Sequence, residues 1–449
     1  MASVISKYAA RAVPRYTSYP TAPHFGSGVG PGDYGEWLAR LSPAEPISLY
    51  LHVPFCRQLC WYCGCNMKLA TRAAPIARYA DTLIHEVELV ADRLPGRFRI
   101  SHLHFGGGTP TALAPDDLAR IVAAVWARFD FTPGAEIAIE SDPRTLSAEM
   151  IVRIGNLGFT RASFGVQEFD PKVQAAINRV QPPEMVAASV AGLRGAGVKG
   201  INFDLIYGLP HQTVESLVRT IGLCADIRPD RMALFGYAHV PWMAKKQRLI
   251  DEAALPGSAA RMAQAAAAAE ALVAAGYVAI GLDHFALPED DLAVAAAAGH
   301  LHRNFQGYTT DRASSLLGVG ATSIGRTPFG HVQNIAETGA WARAVEAGRL
   351  PIAKGHAYRG DEPLRAYVIE ELMCQGAVDL AAARARFRAL PDALSDADEE
   401  LAAMARDGLV EYDGNRLVLT AEGKPLVRVA AAAFDTYLQR QSGRHSLAV

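Results

Sequence analysis

The sequence predicts an α/β protein, in which parallel strands are linked by right-handed helical crossovers and a mainly helical C-terminal segment follows. Three observations predict it. From Ile47 onward, short β-rich runs alternate with longer amphipathic patterns at crossover spacing. Polar residues suited to chemistry fall at the C-terminal ends of those strands, where the active sites of such folds lie. From about residue 356 the alternation gives way to helical patterns and one hairpin. Alternation alone leaves a partial barrel, a full barrel and a doubly wound sheet open. With 449 residues, half of them hydrophobic, the chain can bury a sizeable core and should hold more than one domain. The predicted segments are an N-terminal arm (1–45), a barrel with lid loops (46–355) and a C-terminal helical domain (356–449).

The arm is rich in Pro, Gly, Tyr and Arg. Pro14 and Pro20 bracket Arg15-Tyr16-Thr17-Ser18-Tyr19 and disfavour helix, so an extended segment is expected. It is either a linker that buries two tyrosines or a cover over a site. Strands follow at 47–53, 100–105, 136–141, 160–166, 200–206, 231–237 and 277–283, with helices near 75–93, 115–128, 147–156, 184–195, 213–226 and 257–275. In the first strand Tyr50 and His52 share one face and Leu49, Leu51 and Val53 the other, so the polar pair should point into the barrel. Further on, 281–286 and 302–308 are polar-aromatic stretches expected as lids. The last segment reads as helices at 361–375, 380–388 and 396–407 with a hairpin at 408–420, a winged-helix-like order.

Charge excludes several functions. Forty-four Lys and Arg against 46 Asp and Glu leave a net of -2, without the basic excess of a nucleic-acid or membrane-surface protein. Residues 361–449 carry ten Lys and Arg against fifteen Asp and Glu, so the winged-helix-like segment is not read as a DNA binder. Residues 1–15 hold no apolar h-region, and the alanine-rich helices are too weakly hydrophobic to span a bilayer, which predicts a soluble cytoplasmic protein.

Behind the first strand, Cys56-Arg57-Gln58-Leu59-Cys60-Trp61-Tyr62-Cys63-Gly64-Cys65 packs four of the six cysteines into ten residues. Crowded thiols in a cytosolic chain point to metal rather than to a disulfide. Structural zinc wants a second Cys-x2-Cys half, but Cys224 and Cys374 stand alone. A Cys-x3-Cys-x2-Cys loop suits iron and sulfide better, taking three corners of a cubane and leaving one iron open; zinc, or thiols without metal, is the alternative. The other strand ends carry Gly106-Gly107-Gly108-Thr109-Pro110, Glu140-Ser141-Asp142-Pro143, Gln167, Asp204 and Tyr237-Ala238-His239. Three glycines let backbone amides approach a ligand, Glu140 and Asp204 suit an ammonium or ribose diol, and Arg179 suits a carboxylate. Each alone is more often a cap, a turn or an ion pair; together they predict a site.

The cysteine spacing resembles the radical S-adenosylmethionine (SAM) enzymes, whose open iron chelates SAM, and this resemblance favours the partial (β/α)6 barrel. More narrowly, 14–21, Tyr50 to Pro54, the extra Cys65, 106–111, 204–210, Tyr237-Ala238-His239 and 302–310 together resemble the oxygen-independent coproporphyrinogen III oxidases. Related radical SAM haem chaperones share the loop and the glycine turn but typically lack the tyrosine-rich arm, Cys65 and the His302-to-Tyr308 stretch. Leu287, where relatives can carry a basic residue, departs from the pattern.

The resemblance implies decarboxylation of the ring A and B propionates of coproporphyrinogen III to vinyls, giving protoporphyrinogen IX. It implies a 4Fe-4S cluster on Cys56, Cys60 and Cys63, with Tyr50, Gly107, Glu140 and Ile324 around a first SAM. Tyr62, Gly108, Thr109, Gln167, Arg179, Asp204 and Ala238 would surround a second. Tyr50, His52 and Cys65 are the candidate catalytic residues, Cys65 not being a cluster ligand because a fourth thiolate would fill the open iron. Arg15, Tyr16, Tyr19 and Arg303 are expected to close over the substrate's carboxylates, with 1–21 acting as a removable lid. An electron donor and an electron acceptor are implied without identity, and a monomer is expected.

Overall fold

The structure is a computed structural model that describes residues 7–8 and 11–438. The chain divides into two compact units, the first made of Met1–Phe25, Ala279–Arg312 and His356–Val449, the second of Gly26–Val278 and Ala313–Gly355. The predicted segments are consecutive in sequence, whereas these units are not. Packing rather than chain order defines them.

In the second unit, the strands Ile47–Val53, Arg99–Gly107, Asp130–Ser141, Arg161–Gln167, Gly200–Tyr207 and Arg231–Gly236 lie side by side in chain order, each parallel to the last. Ser315–Val319 runs parallel to the first strand on its other side, and Ile324–Thr327 and Gly330–Asn334 continue antiparallel. Strands covered on both faces read as apolar runs, and Leu49, Leu51, Phe105, Ile139, Phe164 and Phe203 are buried accordingly. The crossover helix Ala73–Ala91 buries Ile76, Tyr79, Ala80, Leu83, Val87 and Val90, which share one face at helical spacing. Ser147 caps helix Ala148–Asn156 through Met150 N, and Thr213 with Ser216 forms a capping box on Val214–Ile227.

Two expectations fail locally. The arm 1–45 is not extended throughout, because Pro31–Ala39 is a helix: Asp33 accepts from Gly30 N at 2.7 Å, and Tyr34, Trp37 and Leu38 bury one face. Prolines that discourage helix in its interior are at home in its first turn. The strand expected at 277–283 is broken into Val278–Ile280 and His284–Ala286. Gly281 between them has φ +58, and a Cβ there would sit 2.1 Å from Tyr308 Cζ, so only glycine fits the turn.

The first unit contains the winged-helix order, with helices Glu362–Gln375, Leu380–Arg386 and Asp398–Arg406. Arg416–Leu419 pairs antiparallel with both Ala377–Asp379 and Val410–Tyr412. Its core joins Leu364, Val368, Leu372, Leu401, Met404 and Phe434 to Tyr8, Val13, Tyr16 and Tyr19 from the N-terminus. Tyr16 donates to Asp435 Oδ2 at 2.9 Å, the Tyr19 hydroxyl lies 3.1 Å from Thr436 Oγ1, and Arg428 donates to Val13 O and Pro14 O. The expectation of a removable lid over 1–21 is therefore corrected for four of its described residues: Tyr8, Val13, Tyr16 and Tyr19 are core, with the Tyr16 and Tyr19 hydroxyls engaged by the chain itself. Among the described residues, no helix is long and apolar enough to cross a membrane.

Candidate active site

The sequence-predicted residues Tyr50, His52, Gly107, Gly108, Thr109, Glu140, Gln167, Asp204 and Ala238 lie on or just beyond the C-terminal halves of the parallel strands in the second unit. On the first strand the Tyr50 hydroxyl lies 3.0 Å from His52 Nδ1, and His52 Nε2 lies 3.4 Å from Asn66 O. Burial pushes the Tyr50 phenol up and the His52 imidazole down, so both stay neutral at pH 7. The glycine turn rests on this pair. Gly107 has φ +113, and a Cβ on it would lie 2.5 Å from the His52 ring; a Cβ on Gly108 would lie 2.7 Å from Phe55 O. The turn needs glycine because the histidine and the cysteine-loop backbone leave no room for a side chain.

Glu140, ending the third strand, accepts from Gly107 N at 3.0 Å through one oxygen and faces His104 Nε2 at 3.2 Å through the other. Asp204, on the fifth strand, is lifted to about 7 by burial and then by the charge of Glu140. A buried carboxylate raised by a second one nearby suits a positively charged or hydroxyl-bearing ligand. Ile324 opens the antiparallel strand beside Ser315–Val319.

Each cysteine of the triplet has its own hydrogen-bond partner. Thr109 Oγ1 lies 3.4 Å from Cys56 Sγ; Arg144 Nη2 and Arg179 Nη1 donate to Cys60 Sγ at 3.2 and 3.3 Å; Cys65 N donates to Cys63 Sγ at 3.4 Å. Burial lifts the Cys56 thiol to about 11, whereas the side-chain hydrogen bond between the two sulfurs, with Cys65 as donor, draws Cys63 down to about 6 and holds Cys65 itself up as a thiol. Asp142 binds both arginines, at 2.6 Å to Arg144 Nη2 and 3.3 Å to Arg179 Nη1. Burial works to raise Asp142, but those two guanidiniums win and hold it below its ordinary range. Arg179 also donates to Gly165 O at 3.1 Å. Among the described residues, no three His, Cys, Asp or Glu gather as a single metal ion would require. A cubane asks for something else: three thiolates on separate corners with hydrogen bonds to sulfur, and the Cys56, Cys60 and Cys63 donor set fits that chemistry.

Gln167 closes the fourth strand in a left-handed conformation, φ +68, with no partner for its buried Oε1 among the described residues. Glu168 beside it accepts from Phe169 N, Asp170 N and Gln212 Nε2 at 2.8, 3.0 and 2.8 Å, which fixes the turn. Tyr62 packs on the cluster of Val173, Ile177, Leu209, Tyr237 and Ile250. Gln247 Nε2 reaches Tyr62 O at 2.7 Å and Ala238 O at 3.1 Å, so one side chain ties the cysteine loop to the end of the sixth strand.

The sequence patterns above do not single out Arg144 and Gln247. Arg144 follows Asp142-Pro143 at a strand end and could have been weighed with it; Gln247 lies in a short 3-10 turn, Lys245–Leu249, that carries no motif. Arg15, Tyr16, Tyr19 and Arg303 belong to the first unit. Tyr16, Tyr19 and Arg303 are buried there and Arg15 is exposed.

The pattern of the Radical SAM superfamily matches residues 50–224, and that of the HemN C-terminal domain matches 359–426. The chain is 50% identical over 448 residues to the oxygen-independent coproporphyrinogen III oxidase of Bradyrhizobium diazoefficiens, covering 100% of both. To the Escherichia coli K12 protein of that name it is 39% identical over 431 residues, 96% of this chain and 94% of the other. A solved structure described as coproporphyrinogen III oxidase (HemN) from Escherichia coli, a radical SAM enzyme, superposes with a TM-score of 0.90 at 37% identity, over 95% of this chain and 100% of that one. The parallel sheet is therefore the partial (β/α)6 radical SAM barrel, not a full barrel or a doubly wound sheet.

Proposed function

The chain belongs to the oxygen-independent coproporphyrinogen III oxidases, and we propose from this that it converts the ring A and B propionates of coproporphyrinogen III to vinyls, yielding protoporphyrinogen IX. The observation that carries the reading is the cysteine loop, which holds three sulfurs at the end of the first strand, each with its own hydrogen-bond partner. Cys56, Cys60 and Cys63 would hold a 4Fe-4S cluster, which with SAM supplies a 5'-deoxyadenosyl radical able to take a hydrogen atom from each propionate β-carbon. For each propionate the balance is one C–H and one C–COO bond broken, one C=C formed, carbon dioxide released and one electron passed to an acceptor. The donor that reduces the cluster and that acceptor are separate partners.

The protein's part is positioning and exclusion of water. Tyr50, Gly107, Glu140 and Ile324 are proposed around a first SAM, where Glu140 can accept from the ammonium while its other hydrogen bonds keep it in place. Tyr62, Gly108, Thr109, Gln167, Arg179, Asp204 and Ala238 are proposed around a second. Neutral His52 holds the Tyr50 hydroxyl, and Cys65 is a thiol beside Cys63 rather than a ligand. A cytoplasmic monomer completes the proposal.

Reduced protein incubated without oxygen with SAM and coproporphyrinogen III should give vinyl products. Tight haem binding without turnover would overturn the reading. Two SAM molecules per cluster are expected at saturation, falling toward one in Arg179→Ala with spectroscopic evidence of SAM at the iron retained; saturation of the wild type at one SAM refutes the second site.

A further inference from the structure

Charge in the first unit does not close. Arg303, on the hairpin strand His302–Asn304, is 6% exposed, and its guanidinium carbon lies 4.4 Å from the centroid of the Tyr308 ring, its partner in the hairpin register. Its Nε and Nη1 are buried and have no hydrogen-bond partner among the described residues. Buried charged donors without acceptors are rare because desolvation is not offset, so such a pair of orphans marks a place where something else binds. Tyr308 cannot take this role, since its face offers a cation only a π cloud and its hydroxyl already donates to Met373 O at 2.8 Å.

Two further guanidiniums act on the same place. Arg428 is 8% exposed, and burial followed by the charges of Arg15 and Arg303 draws it down to about 10. Asp283 feels both Arg303 and Arg15, but its nearest partner is His284, Nδ1 to Oδ1 at 2.7 Å. The other carboxylates at hand are engaged: Asp435 accepts from Tyr16, and Glu370 Oε1 faces His302 Nδ1 at 3.1 Å. The charges of Arg15 and Arg428 are thus felt near Arg303, and the carboxylate that feels all three, Asp283, is already shared with a histidine.

We infer that Arg303, in the field of Arg15 and Arg428, is a carboxylate-binding subsite and that its occupant is a propionate of the tetrapyrrole substrate. This rests on the functional reading above. Arginine suits the task because its charge is permanent and its donors lie in the plane a carboxylate presents. The adjacent Tyr308 face offers apolar surface to a ligand that is mostly carbon. SAM also carries a carboxylate, so the two sources must be separated by experiment.

Coproporphyrin III, the stable oxidised tetra-acid, is titrated into the cluster-loaded protein by absorbance, beside its tetramethyl ester and SAM. Arg303→Met should raise the Kd of the tetra-acid at least tenfold, about 1.4 kcal/mol, while leaving the ester's weak binding and the SAM bound per cluster unchanged. An unchanged Kd for the tetra-acid overturns the subsite; so does a loss of SAM with porphyrin binding intact, which would assign Arg303 to the cofactor. If Arg303→Met does not fold, Asp283→Asn is the second arm: removing the resident counter-charge should tighten the tetra-acid at least twofold, and equal or weaker binding overturns the inference. A wild-type protein that neither binds the tetra-acid nor forms vinyl products fails the functional reading itself, an outcome distinct from tight binding that ignores Arg303.

Discussion

Two arginine clusters, one in each unit, treat charge in opposite ways. Near Cys60, Asp142 takes both Arg144 and Arg179, and both arginines also donate to the sulfur and Arg179 to Gly165 O. In the first unit, Arg15, Arg303 and Arg428 crowd Asp283, and two donors of Arg303 meet nothing among the described residues. A network closed by the chain stays rigid before any ligand arrives, as a site that must hold a cofactor in one geometry requires. An open one is where a ligand's own charge completes the fold.

The largest effect that could break this contrast lies in the cysteine loop. Ser at Cys56, Cys60 or Cys63 should abolish cluster assembly, read as iron and sulfide content, and with it all activity. Cys65→Ser should keep the cluster and lower turnover only; a cluster lost with Cys65 would return it to the ligand set. Next comes the N-terminus. Deleting 1–21 removes Tyr8, Val13, Tyr16 and Tyr19 from the core, and since truncating one large buried side chain costs about 3–5 kcal/mol, the first unit should lose its cooperative thermal transition. An unchanged Tm would restore the detachable lid.

A smaller effect tests whether the second unit is closed throughout. Glu86, from helix Ala73–Ala91, accepts from Gly320 N, Asn334 Nδ2 and Trp341 Nε1 at 2.7, 2.6 and 2.8 Å, yet burial lifts it to about 7 from 4.5. A folded pKa above the unfolded one means that the folded state holds the proton more tightly. This contribution is full below about pH 4.5, falls as pH rises toward 7 and is level above it, on the order of 3 kcal/mol in all. Glu86→Gln cannot titrate, so Tm measured from pH 5 to 8 should slope less than in the wild type; parallel curves would show that Glu86 is already ionised in the fold. The smallest change is Gln247→Leu, which unties Tyr62 O from Ala238 O and should cost about 1–3 kcal/mol in Tm measurements with cluster content intact.

The sequence by itself determined whatever is local in the chain. Cys56, Cys60 and Cys63 sit at a spacing that one loop can present, Gly107 and Gly108 mark a turn where Cβ atoms would strike His52 and Phe55, and apolar runs at crossover intervals place the six parallel strands within a residue or two of where they lie, except that the third, Asp130–Ser141, starts six residues before the expected 136. Those signals need no distant partner, so they are legible from neighbours along the chain. Tertiary structure decided everything that depends on who meets whom. Tyr16 and Tyr19 read as lid residues until Asp435 and Thr436, over four hundred residues later, took their hydroxyls. Arg144 became a partner of Cys60, Gln247 a tie between two strand ends, and Arg428 the third cation beside Arg303, because burial and hydrogen-bond pairing are settled between segments that folding alone brings together.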